Sequence, residues 1–283
     1  MKRILTAAVA LPILLYTVWS KSPFPFVALA LLVVLIALFE FYNLARATGV
    51  RTQRGLGYVA AVAIVGCFVV GNLEWIAAAL VLLTLASLAR RILQGGELID
   101  CLASVSVTVF GVAYVALLGG SLVGVRMGPG VRMGSGLRIV DDAGYSSKLL
   151  TMFFAMVILT DTGAYYVGRA IGRHKLAPGI SPGKTIEGSV GGFLFAVAAG
   201  AICRMTFFRE VPLVDALVLG AAIGIISQIG DLAESMLKRG AGVKDSGTLL
   251  PGHGGILDRI DSVLFCAPIL YFYSRLFFSR LWP

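Results

Sequence analysis

Charge is scarce in this sequence. Lys, Arg, Asp and Glu make up 14% of 283 residues, while 58% are hydrophobic; a water-soluble domain carries about 25% charged residues. Too little polar surface exists to cover a globule in water, so the bilayer must be the solvent for much of the chain. The four cysteines, Cys67, Cys101, Cys203 and Cys266, lie in or beside apolar segments and form no CxxC pair. Buried thiols are expected, rather than a disulfide or thiolate metal centre. The formal net charge is +9, but no basic stripe with interleaved aromatics occurs, which argues against nucleic acid as a partner. The start, Met1-Lys2-Arg3 then Ile4 to Trp19, resembles a signal peptide. It lacks a small-x-small cleavage site after Trp19 and reads as a retained first helix.

The basic residues instead gather at the ends of apolar segments. A spanning helix needs about 20 apolar residues, and such segments run roughly over 4–20, 24–46, 56–72, 74–93, 100–125, 148–170, 187–208, 212–238 and 261–281. The expected fold is all-α, a polytopic integral membrane helical bundle with about nine transmembrane helices. Two parts are expected: membrane helices with an external loop over 1–147, and a catalytic membrane domain with cytoplasmic loops over 148–283. An N-terminus in the cytoplasm puts most Lys and Arg residues on the inner side, and with them the polar loops 171–187 and 239–260. The loop from Arg126 to Lys148 breaks this bias. It carries a local duplication, Val125-Arg-Met-Gly-Pro-Gly130 and Val131-Arg-Met-Gly-Ser-Gly136, to which no function is assigned. Glycine pairs four apart, Gly168/Gly172, Gly188/Gly192 and Gly220/Gly224, predict close helix packing in lipid.

Two polar clusters interrupt the apolar pattern. Within the eighth segment, Gln228, Asp231, Ser235 and Lys238 share one helix face. A carboxylate in a membrane helix costs about 2.5–3.5 kcal/mol on insertion scales, so it should face a cavity, a partner or an ion; a helix end emerging into water is the alternative. Glycine-rich sequence then runs from Gly240 to Asp261. Its backbone N–H groups can present themselves to phosphate oxygens. Lys238, Arg239, Lys244 and Arg259 can neutralise a polyphosphate, while Asp231, Asp258 and Asp261 offer hard oxygen ligands to Mg²⁺. His253 can contact phosphate or carry a proton. These are the ingredients of phosphoryl or nucleotidyl transfer.

The second cluster contains Asp161, Ser181, Lys184, Thr185 and Glu187. Gly183-Lys184-Thr185 is not a P-loop, because Pro178 stands where the first glycine of that motif belongs and no parallel strand precedes it. Ser181, Lys184 and Thr185 still place hydroxyls and a cation at a loop–helix junction, which attracts phosphate; ordinary capping of the following helix competes with that reading. Asp161, inside an apolar segment, calls for an ion or hydroxyl partner.

The string Ser235-x-x-Lys238-Arg239-x₄-Lys244-Asp245-x₅-Pro251-Gly252-His253-Gly254-Gly255-x-x-Asp258-Arg259-x-Asp261 resembles the signature of phosphatidate cytidylyltransferases. Ser181-Pro-x-Lys184-Thr185-x-Glu187-Gly188 and Asp161-x-x-Ala164-Tyr165 also match that family's pattern; Gly183, where many members have Lys, is a minor departure. The first 150 or so residues match only in being apolar helices. The resemblance implies that CTP and phosphatidic acid give CDP-diacylglycerol and pyrophosphate, with Mg²⁺ and a second cation such as K⁺. It also implies a homodimer in the cell's inner membrane, its active site facing the cytoplasm. Lys238, Arg239, Lys244, Asp245, His253 and Arg259 are then the expected catalytic set. Ser181, Lys184, Thr185, Glu187, Asp161 and Ser235 would bind substrate, and Asp231, Asp258 and Asp261 the metal. The rivals are cytidylyl transfer to another lipid phosphate, such as an ether lipid or polyprenol, and an ion-coupled transporter. The CDP-alcohol phosphotransferase pattern, Asp-Gly-x-x-Ala-Arg, does not occur.

Overall fold

The computed structural model describes residues 2–94, 99–128, 144–247 and 254–281. Its regular structure among the described residues is helical except for one hairpin. The elements are α1 (Lys2–Trp19), α2 (Phe24–Ala47), α3 (Arg54–Val70), α4 (Leu73–Gln94), α5 (Ile99–Gly111), a π-helical stretch (Val112–Leu117), α6 (Leu118–Met127), α7 (Tyr145–Ile171), β1 (Lys175–Ala177), β2 (Ser181–Thr185), α8 (Ile186–Thr206), α9 (Leu213–Gly240) and α10 (Leu257–Leu281). Each apolar run of the sequence falls on helix, because a backbone in hydrocarbon must satisfy its own hydrogen bonds. Six helices among the described residues are long and apolar enough to cross a membrane, and Val9–Trp19 and Arg54–Val70 are shorter apolar helices. The chain is an integral membrane protein of the helical class.

It divides into two units: residues 1–141 with 237–259, and residues 142–236 with 260–283. The first unit joins helices α1–α6 to the glycine-rich stretch near the C-terminus. In it, Gln53 ties three helices together. Its Nε2 donates to the Ser87 carbonyl at 3.0 Å and its backbone N–H to Thr108 Oγ1 at 3.0 Å. The π-helical stretch packs at an aromatic cluster, with Tyr114 stacked on Phe110 and edge-on to Phe41.

In the second unit, small residues set the helix spacing. A Cβ at Gly188 of α8 would lie 2.7 Å from the Ala164 carbonyl and 3.1 Å from Gly168 Cα of α7, and one at Gly220 of α9 would lie 2.8 Å from the Ala196 carbonyl of α8. This is the close backbone approach expected of the glycine pairs. All four cysteines are free and three are buried, as their surroundings predict.

The segment expected to be an external loop from Arg126 to Lys148 is shorter than that at both ends. Arg126 is helical and 3% exposed, its guanidinium donating to the Ser20 carbonyl at 2.5 Å. That bond lets a cation end a buried helix. Lys148 lies in α7 and pairs with Glu210 at 2.5 Å. The duplicated Gly-rich residues between them fall mostly outside the described residues.

Candidate active site

Each unit holds one polar cluster built on the sequence motifs. In the first unit the cluster forms where α9 ends and α10 begins. Lys238, in the last turn of α9, places Nζ 2.6 Å from Asp258 Oδ1, with both side chains largely buried (12% and 7% exposed). The other oxygen of Asp258 accepts three hydrogen bonds: from the Ser246 backbone at 3.0 Å, the Ser246 hydroxyl at 2.9 Å and the Gly255 backbone at 2.7 Å. A carboxylate offers about four acceptor positions, so Asp258 is saturated. It fixes the loop on one side and the lysine on the other.

Beneath this lies Glu40, from the middle of α2 and 3% exposed. Its carboxylate accepts from the Ile256 and Leu257 backbone N–H groups at 3.0 and 2.8 Å and lies 3.2 Å from the Ser246 hydroxyl, whose single proton it shares with Asp258. Leu257 opens α10, whose first N–H groups lack partners within the helix. Glu40 supplies them from outside and puts negative charge at the positive end of the helix dipole. The fit is tight: a Cβ on Gly255 would collide with Ser246 Oγ and Glu40 Oε2. Gly254 adopts φ +77°, which favours glycine, and so aims the next N–H at Asp258.

Of the remaining signature residues in this unit, Arg239 donates from Nη1 to the Val243 carbonyl at 3.2 Å, closing the end of α9. Lys244, Asp245 and Arg259 are exposed. A cradle with exposed cations around a fixed lysine can receive an anion. His253 lies outside the described residues.

The second unit's cluster forms at the β1–β2 hairpin and on α9. The strands pair antiparallel, Lys175 opposite Thr185 and Ala177 opposite Ser181, so Gly183-Lys184-Thr185 is hairpin and not P-loop. Thr185 caps α8, its hydroxyl accepting from the Gly188 N–H at 3.1 Å; this is the capping expected of a Thr at a helix start. Lys184 reaches Asp231 Oδ2 at 2.6 Å, with side chains 25% and 35% exposed. Ser235 Oγ is 3.4 Å from the other oxygen of Asp231. Glu187 is engaged structurally: it accepts from the Arg173 and His174 backbones at 3.1 and 3.2 Å, and its other oxygen lies 2.6 Å from His174 Nδ1. Asp161 is exposed on α7, and Ser181 is half-buried on β2. Asp261 is 9% exposed, with Oδ1 2.6 Å from the Ser262 N–H.

These positions test the donors for a divalent cation. Among the described residues no three His, Cys, Asp or Glu side chains gather as a ligand set. Asp231 fits a hard cation that keeps most of its water, since one oxygen has only a long contact and the group is open to solvent. Asp258 accepts a metal only if Lys238 or a loop N–H gives way.

Sequence reasoning passed over Glu40 and Ser246. The same argument that singles out Asp161, an acid inside an apolar helix, applies with greater force to Glu40, whose helix holds an 18-residue stretch of mean hydropathy 2.6.

A family model described as the Cytidylyltransferase family matches residues 1–277. The phosphatidate cytidylyltransferase of Bacillus subtilis is 47% identical over 131 residues, which cover 46% of this chain and 49% of that protein. That of Brucella suis is 45% identical over 140 residues, covering 48% and 50%. That of Synechocystis is 40% identical over 187 residues, covering 61% and 62%. The chain thus spans about half the length of the first two curated relatives it matches and somewhat more of the third.

Proposed function

The chain belongs to the Cytidylyltransferase family, and from that premise we propose that it is a phosphatidate cytidylyltransferase. An oxygen of the phosphatidic acid phosphate attacks the α-phosphorus of CTP. The bond from that phosphorus to the bridging oxygen breaks, giving CDP-diacylglycerol and pyrophosphate. The nucleophile is already ionised, so no strong base is required, and the protein's work is positioning and charge neutralisation.

The observation that carries this reading is the Lys238–Asp258 pair inside the Ser246–Gly255 cradle. Asp258 holds the lysine at one place and spends its other oxygen on the loop, so Lys238 presents a pre-positioned cation to a phosphate. Arg239, Lys244 and Arg259 add positive charge for the triphosphate or the lipid phosphate. Lys184, with Ser181 and Thr185 beside it, contributes a cation and hydroxyls from the hairpin. Asp231 would hold Mg²⁺, with Asp261 as a further ligand, and Asp258 would take a metal only where Lys238 or a loop N–H gives way; when bound, the ion supplies Lewis-acid charge to the phosphates. A second cation such as K⁺, nine membrane crossings, a homodimer and an inner-membrane site open to the cytoplasm complete the proposal.

The test is transfer of label from α-³²P-CTP to the chloroform-soluble fraction by purified protein with phosphatidic acid and Mg²⁺. EDTA should abolish it. Absence of lipid-soluble label under these conditions overturns the reading.

A further inference from the structure

A cavity of about 1160 Å³ opens between α2 and α3 in the first unit. One end is apolar, walled by Leu35, Ile36 and Val62; Asn43 and Tyr58 line the other. Leu35 and Asn43 lie eight positions apart on α2, which sets the ends about 12 Å apart along the helix. Val62 is 48% exposed, so the apolar end is open to the hydrocarbon around the helices. Such a space takes an alkyl chain.

The polar end carries a cation. Arg54, at the start of α3, donates from Nη2 to Asn43 Oδ1 at 2.6 Å and lies with Cζ 5.3 Å from the centre of the Phe39 ring, another wall of the cavity. Its Nε is enclosed and has no hydrogen-bond partner among the described residues, and no carboxylate there forms an ion pair with it. Glu40 also lines the cavity, but its oxygens are spent on Ser246, Ile256 and Leu257. A guanidinium beside apolar surface without a counter-ion favours an anion. Apolar space with a cation at one end matches an anionic lipid.

Ser246 and Gly247 form part of the same wall. Ser246 bonds to Asp258, whose other oxygen holds Lys238, so the cavity wall and the phosphate cradle share a residue. From this we propose that the cavity between α2 and α3 holds one acyl chain of the acceptor phosphatidic acid, with the lipid phosphate at the end marked by Arg54 and Asn43. Naming the lipid as acceptor rests on the functional reading above; binding of the chain does not.

The test is equilibrium binding of radiolabelled dioleoyl phosphatidic acid to the full chain in detergent, without nucleotide or metal. Dioleoyl phosphatidylglycerol, with the same chains on a phosphodiester, is the competitor. Val62→Trp fills the apolar end from an exposed position, Arg54→Gln removes the charge, and Arg54→Lys keeps it; melting curves confirm that each variant folds. Val62→Trp and Arg54→Gln should each weaken binding about tenfold, with Arg54→Lys within about threefold of wild type. In the transfer assay Val62→Trp should raise KM for the dioleoyl substrate and leave KM for CTP unchanged. Unchanged binding in folded Val62→Trp overturns the proposal. Phosphatidylglycerol competing as well as phosphatidic acid overturns it too, since the cavity would then be a general anionic-lipid site. Binding that depends on Val62 and Arg54 in a protein with no cytidylyl transfer supports the lipid cavity while the enzymatic reading fails.

Discussion

Glu40 accepts the backbone N–H of Leu257 at 2.8 Å across 217 positions of sequence. A membrane helix near the N-terminus thereby fixes the start of α10 and the loop that precedes it. Replacing Glu40 by Ala strands the Ile256 and Leu257 N–H groups, each unsatisfied group costing about 1–3 kcal/mol where it is buried, while the Ser246 hydroxyl keeps Asp258. Glu40→Ala should therefore lower the unfolding midpoint and reduce transfer more than tenfold. Glu40→Gln keeps one acceptor oxygen and should fall between. Thermal unfolding in detergent, paired with the label-transfer assay, checks both.

The Lys238–Asp258 pair separates charge from architecture. Breaking a buried ion pair by removing the acid costs about 3–5 kcal/mol, because a buried cation is left uncompensated. Asp258→Asn also turns an amide N–H₂ toward either Lys238 or the Ser246 and Gly255 donors. It should lose both transfer and stability. Lys238→Met removes the cation but leaves Asp258 its three loop donors, so it should lose transfer by at least a hundredfold with a smaller change in melting. Comparing kcat/KM with the unfolding midpoint for the two variants decides this. Equal destabilisation by both would contradict the asymmetry.

Much of this was legible in the sequence, and the exceptions have physical causes. Among the described residues the apolar runs fall on helices, because a single segment in hydrocarbon must satisfy its own backbone hydrogen bonds. Asp231, Lys238 and Asp258 stand out as charges that an apolar chain has reason to keep. Glu40 is equally visible as an acid inside an apolar helix, but its partners are not: they are backbone N–H groups about 216 residues away, and backbone donors leave no mark in a sequence. The pairing of Lys184 with Asp231 and of Lys238 with Asp258 is likewise invisible to spacing, since each joins different elements. Helix periodicity places Asp231 and Lys238 on one face but cannot reveal that each already has an ionic partner. Nor does apolar content alone fix helix length: Arg54–Val70 has 17 residues where Phe24–Ala47 has 24.

The Lys184 and Asp231 side chains are 25% and 35% exposed, with Lys184 Nζ itself enclosed, and a pair this close to the surface contributes about 1 kcal/mol. Lys184→Met should leave the melting curve nearly unchanged while transfer falls at least tenfold, through a higher KM for CTP. Asp231→Asn should remove the binding of Mn²⁺, a paramagnetic substitute for Mg²⁺, as read by electron paramagnetic resonance of the purified protein. Retained Mn²⁺ binding in that variant would sink the assignment of Asp231.

Glu210 supplies a pH test away from the clusters. Its hydrogen bond from Lys148 holds the carboxyl below the ordinary glutamate range. The folded pKa is lower than the unfolded one, so the pair's contribution is present in full above the unfolded value and fades as pH falls through the folded value. Glu210 is about half exposed, which limits the effect to a few tenths of a kcal/mol. Wild type and Glu210→Gln should differ slightly in unfolding midpoint near neutral pH and converge in the acid range below the ordinary glutamate pKa. A difference that grows on acidification would show that the pair does not stabilise the fold.

Gly188 links helix packing to the hairpin cluster. Its N–H is the one that the Thr185 hydroxyl accepts, and its α-carbon faces Ala164 and Gly168 of α7. A methyl group there meets backbone atoms, which cannot swing aside as a flexible side chain can. Overpacking of this kind costs about 1–3 kcal/mol, and the strain is relieved by moving α8 away from α7. Because the α8 N-terminus carries Thr185 and follows Lys184 directly, that movement also shifts the cation. Gly188→Ala should lower the unfolding midpoint and raise KM for CTP together, whereas Thr185→Ser, which keeps the cap, should do neither. Unaltered melting in Gly188→Ala would mean that the helices part without cost and that the glycine does not set their spacing.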